Sequence, residues 1–210
     1  MVSRVSIRWI VAAAAIVLSA SVLHAALPSP TAPSVSGATS VAGQLLIATP
    51  ALSGPPFERA VILVAQHDRN GALGIVINHP LGERPIAGLL QAAGADSSGV
   101  KGNVQLYLGG PVDPQAGFVL HSAEYHGDNS LDIDGRVALS NGVQTLRDIG
   151  LGKGPRQSLV AFGYAGWAPM QLDNELRQGV WNIIPEDPAL VFDDDRAKVW
   201  NDAMARYKPN

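Results

Sequence analysis

Three histidines, each at the end of an apolar run, are the side chains in this sequence best suited to chemistry. They are His67, His79 and His121. If the runs are strands that pair with level ends, the first two imidazoles would meet, and His121 could join them. Three imidazoles leave an open position for water on zinc, as in a metal-assisted hydrolase. Alternatively, each ring hydrogen-bonds a nearby backbone group. We expect this structural role, since the sequence contains no H-E-x-x-H motif.

Motifs for nucleophilic catalysis and for phosphate binding fit the sequence poorly. No serine lies in a G-x-S-x-G elbow, and the absence of cysteine excludes thiol chemistry and cysteine-metal sites. The glycine-rich run Gly150–Gly154 follows a helical pattern and has no Ser or Thr after Lys153, so it predicts a helix end. The pair Gly109 and Gly110 follows a strand and suits either a tight turn or a ligand-facing loop, of which we expect the turn.

The segment Gly163–Leu176 combines aromatic, glycine and polar residues where the pattern predicts a strand, a turn and a helix. Such a junction can present flat apolar surface beside a polar helix start, which would suit a small ligand or a peptide. Alternatively, Trp167 packs beneath the helix and the glycines only permit the bend, and we favour this second interpretation. The candidate binding surface as a whole consists of His67, Asn78, Gly109, Gly110, His121, Tyr164, Trp167 and Gln171.

The elements that must position these residues predict an α+β fold, in which a mixed, hairpin-containing sheet is combined with several short helices. Strands are predicted over residues 43–48, 60–66, 72–78, 104–108, 117–122, 131–134, 136–139, 157–163 and 180–184. Helices are predicted over residues 85–93, 141–151, 169–178 and 195–207. The Asn-Gly and Asp-Gly pairs at residues 70–71 and 134–135 predict hairpins.

The first 40 residues differ from the remainder in charge and composition. They contain Arg4 and Arg8 but no acid, so a net charge of −3 over the whole chain becomes −5 over residues 41–210 (13 basic against 18 acidic side chains). The apolar run Ile10–Leu23 behind a basic start is typical of a secretory signal peptide, and it is shorter than the roughly 20 residues of a spanning helix. We predict a signal peptide or N-terminal anchor over residues 1–26, a Pro/Ser-rich linker over 27–42 and one domain over 43–210.

The leader and the charge also indicate location and partners. We expect export to the periplasm, or anchoring by the N-terminal segment, with membrane contact only through that segment. Direct nucleic-acid binding is not expected, because an acidic domain lacks the clustered Lys and Arg that it requires. No cofactor is expected, and the predicted partner is a protein or small molecule of unknown identity.

Several motifs occur in an order that resembles the YqgE/AlgH family of bacterial proteins, over about residues 43–207. The motifs are GQLLIATP (Gly43–Pro50), Phe57, His67, GALGIVINHP (Gly71–Pro80), GGPV (Gly109–Val112), GFVLH (Gly117–His121) and GYAGWAPMQLDNEL (Gly163–Leu176), followed by Trp181, Phe192 and Trp200. The resemblance implies a compact α+β fold. It implies no established enzymatic activity, and some members are labelled transcriptional regulators.

The sequence departs from the family pattern in two places. Members are usually cytoplasmic and lack an export segment, so the cytoplasm is the alternative location. Met170 stands where the family pattern GWxxGQL has glycine. The resemblance and the poor fit of catalytic motifs predict a non-enzymatic binding or regulatory protein. The alternatives are a metal-assisted hydrolase built on His67, His79 and His121, and a transcriptional regulator.

Overall fold

A computed structural model describes residues 40–127 and 129–209, which form a mixed sheet with short helices. The strands are β1 Gln44–Ala48, β2 Val61–Asp68, β3 Gly71–Val76, β4 Pro80–Pro85, β5 Asn103–Leu108, β6 Val112–Ser122, β7 Ser130–Asp132, β8 Val137–Ser140, β9 Ser158–Trp167 and β10 Trp181–Pro185. The helices are α1 Ile86–Ala92, α2 Val143–Gly150, α3 Gln171–Arg177, α4 Pro188–Val191 and α5 Arg196–Arg206. A mixed, sheet-dominated α+β architecture is therefore confirmed. The predicted signal or anchor over residues 1–26 lies outside the described residues.

Strand β9 is the centre of the sheet, whose main order is β10-β1-β2-β3-β9-β6-β8-β7. Its first half pairs with β6 and, in parallel, with β5, while its second half pairs antiparallel with β3. Strand β4 joins the sheet at the far side of β5. The two ends of β9 therefore lie in different parts of the fold: the first half is placed between β5 and β6, and the end of the strand lies beside β3.

A glycine in β9 changes which face of the strand is turned to the main core. Leu159 and Ala161 lie in the largest apolar cluster, and so does the partly buried Tyr164. Side chains of a regular strand alternate between faces, so odd- and even-numbered residues can share a core only if one residue breaks the alternation. Gly163, with φ of +72°, is that residue. After it, Trp167 contributes to a second cluster, beneath α3.

Two elements of the fold were not predicted, and both contain prolines. Strand β4 has a proline at each end and pairs with β5, which fits the tolerance of edge strands for proline. Helix α4 is a single turn that starts at Pro188, and the Asp187 side chain accepts a hydrogen bond from the N–H of Ala189. One turn is too short to show a helical period. In the described part of the chain, no helix has the length and apolar character needed to span a membrane.

Candidate functional site

His67 is buried at the end of β2 and connects two other segments. Its Nδ1 accepts a hydrogen bond from the N–H of Val41 at 3.2 Å, and its Nε2 lies 3.5 Å from Oδ2 of Asp173 on α3. A nitrogen that accepts carries no proton, so the proton of the neutral ring is assigned to Nε2, facing Asp173. Both nitrogens are thereby engaged. The imidazole holds α3 and the segment before β1 against the sheet.

Glu175 of α3 accepts hydrogen bonds from the indole N–H groups of two tryptophans. Its Oε2 accepts from Nε1 of Trp167 and from Nε1 of Trp181, each at 2.8 Å, and the two rings meet edge to face with centroids 6.2 Å apart. Its Oε1 accepts from Nε2 of Gln171 at 2.9 Å, and Oε1 of Gln171 accepts from the N–H of Ala168 at 3.1 Å. This network fixes the turn between β9 and α3. Trp167 packs beneath the helix, as favoured from the sequence.

Met170 immediately precedes α3 and combines strain with exposure. Its φ of 63° lies in the left-handed region, and its side chain is half exposed, at 51 %. A residue other than glycine in this region costs about 1–3 kcal/mol. This conformation accounts for the glycine that the family pattern has at this position. The chain keeps an exposed methionine here in spite of the strain.

The glycines of the β5–β6 turn lie against the backbone of β9. A Cβ on Gly109 would come within 2.3 Å of the carbonyl oxygen of Gly163, and one on Gly110 within 2.1 Å of the carbonyl carbon of Tyr164. The N–H of Gly109 donates to the carbonyl of Phe162 at 2.8 Å. The two glycines therefore serve close backbone packing, which supports the turn over the ligand-facing loop. The Tyr164 ring packs edge to face on another ring of the core.

Asn78 and His79 lie at the opposite end of β2 from His67. Oδ1 of Asn78 accepts from the N–H of Val61 at 2.9 Å, and its Nδ2 donates to the carbonyl of Arg59 at 2.9 Å. Burial lowers the pKa of His79, although a hydrogen bond with the Glu58 backbone acts in the opposite direction. Asn78 thus anchors the entry to β2. His79 lines a cavity of about 370 Å³.

His121 is completely shielded from solvent near the end of β6. Its Nδ1 lies 3.1 Å from the carbonyl oxygen of Ser122, so Nδ1 is assigned as the donor. Its Nε2 lies 3.3 Å from Oγ of Ser130, and the ring meets Tyr125 edge to face. Burial lowers the pKa of His121. The ring is therefore a neutral imidazole with both nitrogens engaged.

The three histidines do not come together. His67 pairs with Ala72, which is next to Trp167 at the end of β9, whereas His121 pairs with Ser158 at the start of β9. The two ends of such a strand are about 30 Å apart at ~3.3 Å per residue. No group of three or more His, Cys, Asp or Glu suited to a metal ion occurs among residues 40–127 and 129–209. The positions of the imidazoles therefore do not support the zinc-site hypothesis.

The predicted surface divides into separate groups. His67, Trp167 and Gln171 lie around α3, and Gly109, Gly110 and Tyr164 form the backbone crossing at β9. Asn78 lies beside this crossing, because the N–H of Val76 donates to the carbonyl of Gly109 and the carbonyl of His79 accepts from the N–H of Leu108. His121 lies apart from both groups. Asp173 and Glu175, which hold the first group together, were not among the predicted site residues. Their signal was weak: two acids two positions apart on a short helix that also carries the buried Leu172.

Known proteins match this chain along most of its length. A family model described as AlgH-like matches residues 45–210. A UPF0301 protein of Methylococcus capsulatus is 40% identical over 168 residues, which cover 80% of this chain and 92% of that protein. A UPF0301 protein of Gluconobacter oxydans is 42% identical over 164 residues, which cover 77% of this chain and 88% of that protein.

Two solved structures share the fold. The solution structure of the AlgH protein from Pseudomonas aeruginosa matches with a TM-score of 0.66 and 32% identity, covering 84% of this chain and 94% of that one. Protein DIP2367 of Corynebacterium diphtheriae matches with a TM-score of 0.62 at 22% identity, covering 83% and 91%. The likeness to DIP2367 shows the fold alone. On the family model and the relatives together, the chain belongs to the AlgH-like (YqgE/AlgH, UPF0301) family.

Proposed function

We propose that this protein is an exported, non-enzymatic binding protein with a regulatory role, and that it recognises a protein partner at the β9–α3 junction. The junction surface consists of residues 168–171 together with Arg69 and Asn70 of the adjacent hairpin turn. All of these residues are exposed. The hairpin is adjacent because a Cβ on Gly71 would lie 3.3 Å from the carbonyl carbon of Ala168.

The observation that carries the proposal is the strained, exposed Met170. Strain in the backbone is retained where the surrounding structure holds it, and it concentrates at functional positions. Here the holding structure is the Trp167–Glu175–Gln171 network on one side and the buried His67–Asp173 pair on the other. Methionine suits contact with a protein because its unbranched thioether adapts to irregular apolar surfaces. The export part of the proposal rests on the leader sequence alone.

The binding role also agrees with how the polar candidates are used. His67, Asn78, His121, Trp167 and Gln171 all direct their polar groups to partners inside the domain. They therefore build a rigid support, and the side chain that the support presents to solvent is Met170.

Photo-crosslinking tests the surface directly. A photoreactive benzoylphenylalanine is placed at position 170, and the matched control is placed at Val143, whose side chain is 44 % exposed on α2. In the native bacterium we expect an adduct of defined mass from position 170 only. Excess purified wild-type protein should compete with it in extracts, and Met170→Gly should not. Equal adducts at both positions, or competition by Met170→Gly, would contradict the proposal.

Met170→Gly separates binding from folding. Glycine relieves the left-handed strain, so this variant is expected to unfold at the same urea concentration as wild type or at a higher one. A loss of binding in a variant of undiminished stability places Met170 in the interface.

A further inference from the structure

Glu186, between β10 and α4, is a buried acid with an unusual environment. Its side chain has no exposed area, and within the described residues neither carboxylate oxygen accepts a hydrogen bond. Nη2 of Arg136 lies 2.6 Å from Oε2, an ionic contact that leaves Oε1 without a donor. If Glu186 is ionised, an acceptor left without a donor in this way costs about 1–3 kcal/mol. None of the contacts of the candidate site described above involves this residue.

Charged groups from three parts of the fold face Glu186. Asp134 and Arg136 come from the β7–β8 turn, Asp187 follows Glu186 in the chain, and Arg206 comes from α5 and contacts Asp187. With every group ionised, three carboxylates face two guanidinium groups, so the cluster has a net charge of −1. One further positive charge would neutralise it.

In the cluster as it stands, a proton supplies this charge. Burial raises the pKa of Glu186 to about 8, aided by a hydrogen bond with the Asp134 carboxylate and by the charge of that group. Burial alone would also raise the pKa of Asp134, but a hydrogen bond with the Glu186 carboxyl and hydrogen bonds from the N–H groups of Val137 and Arg136 hold it below its ordinary value. At neutral pH the proton is therefore on Glu186, and Asp134 is ionised.

A cavity of about 420 Å³ opens beside Glu186. Besides the charged groups, it is lined by Ile184 and Pro185. The Arg136 side chain contacts this carboxylate and is itself 54 % exposed, so a cationic ligand that enters from the cavity competes with Arg136 for Glu186. Apolar walls next to a buried acceptor suit a ligand that combines a short alkyl stem with a cationic donor.

We propose that this cavity binds a primary ammonium group, which donates to Oε1 of Glu186 and takes the place of the proton there. The ammonium brings one charge and three donors, so it neutralises the cluster and replaces the hydrogen bond that the Glu186 proton makes with Asp134. The alkyl stem packs on Ile184 and Pro185, and the displaced proton passes to solvent. The ammonium belongs either to a small aliphatic amine or to a lysine side chain of a peptide. This inference is independent of the junction surface.

Calorimetry with n-butylammonium and with Nα-acetyl-lysine amide tests the site. Titrations at pH 7 in two buffers of different ionisation enthalpy should show saturable binding and the release of close to one proton. Affinity should rise between pH 6 and pH 8, as Glu186 becomes easier to ionise. Tetramethylammonium, which has no N–H donor, should not bind. Tighter binding of n-butylammonium indicates a free amine as the natural ligand, and tighter binding of the lysine derivative indicates a peptide.

Variants test whether amine binding and proton release depend on Glu186. Glu186→Gln should weaken binding at least about tenfold and abolish proton release, because a charge-assisted hydrogen bond is lost. Asp193→Asn removes a carboxylate outside the cavity and should leave the amine affinity and the proton release unchanged. Arg136→Gln should bind the amines more tightly, because the competing cation is removed, and it tests the site even if Glu186→Gln folds poorly. The proposal is overturned by no saturable binding of either amine, by binding without proton release, or by unchanged affinity in Glu186→Gln.

Discussion

Nε2 of His67 lies 3.5 Å from Oδ2 of Asp173, and both side chains are buried. This contact joins the end of β2 to α3, and the hydrogen bond from Val41 to the same ring adds the segment before β1. One imidazole thus links three parts of the chain that are far apart in sequence. Its role is to position the helix that carries the junction surface.

Replacing His67 by phenylalanine should lower the free energy of unfolding by about 1–3 kcal/mol, because Asp173 and the N–H of Val41 are left buried without partners. Urea unfolding followed by tryptophan fluorescence measures the change. His126→Phe in an exposed loop is the matched control and should change stability by less than about 0.5 kcal/mol. Equal effects in the two variants would show that the His67 contacts contribute nothing specific.

Glu175→Ala should destabilise the junction, since it removes the acceptor of two indole N–H groups in nearly buried rings. We expect a loss of about 2 kcal/mol or more, from unsatisfied donors that cost about 1–3 kcal/mol each. In NMR spectra, the Nε1–H signals of Trp167 and Trp181 should shift upfield while that of Trp200, which donates to the carbonyl of Ala48, stays in place. Glu83→Ala on β4 is the exposed control. Unmoved indole signals in Glu175→Ala would contradict the network.

Two glycines of nearly equal φ allow the cost of left-handed backbone strain to be measured apart from the cost of a steric clash with a neighbouring backbone. Gly163 has φ of +72° and Gly179 has φ of +69°. A Cβ on Gly163 would lie 2.4 Å from the carbonyl oxygen of Gly110, whereas one on Gly179 would meet nothing within 4 Å.

Gly179→Ala should therefore cost only the left-handed strain, about 1–2 kcal/mol. Gly163→Ala must also push β9 away from the β5–β6 turn, so we expect it to be much less stable or to fail to fold. Thermal unfolding and the yield of soluble protein distinguish the two variants. Similar losses in both would mean that the crossing of the two backbones is not tightly packed.

The sequence predicted the elements whose period or turn chemistry is local. The hairpin on either side of Asp134-Gly135 is confirmed as β7 and β8, and the apolar stripe of α5 was visible in its spacing. The second half of β9 was missed because Gly163 breaks the alternation that identifies a strand. Strand β4 was missed because its stability comes from pairing with β5, which local pattern does not encode.

Among the candidate residues too, contacts within a short stretch of chain could be predicted from the sequence, and contacts between distant segments could not. Trp167 and Gln171 were selected by type and do meet in one network, because both lie within a short stretch of chain. Bringing together His67, His79 and His121 depended on strand ends being level, and the observed register separates His67 from His121 along the length of β9. Glu186 and Arg136 are 50 residues apart, and only the folded chain shows that they meet.

The stability of the folded protein should depend on pH through Glu186. Its pKa is about 8 in the folded protein and 4.5 ordinarily, so the folded state holds the proton more tightly than the unfolded chain. The contribution of this group is fully present below pH 4.5 and is lost as the pH rises to about 8. In that window, wild type should lose up to about 1.4 kcal/mol per pH unit relative to Glu186→Gln, which carries no titrating proton. Urea midpoints of both proteins at pH 5, 6, 7 and 8 measure the difference. A constant difference across these pH values would show that Glu186 is already ionised in the folded protein at neutral pH. In that case its buried charge would be balanced by Arg136 without a proton.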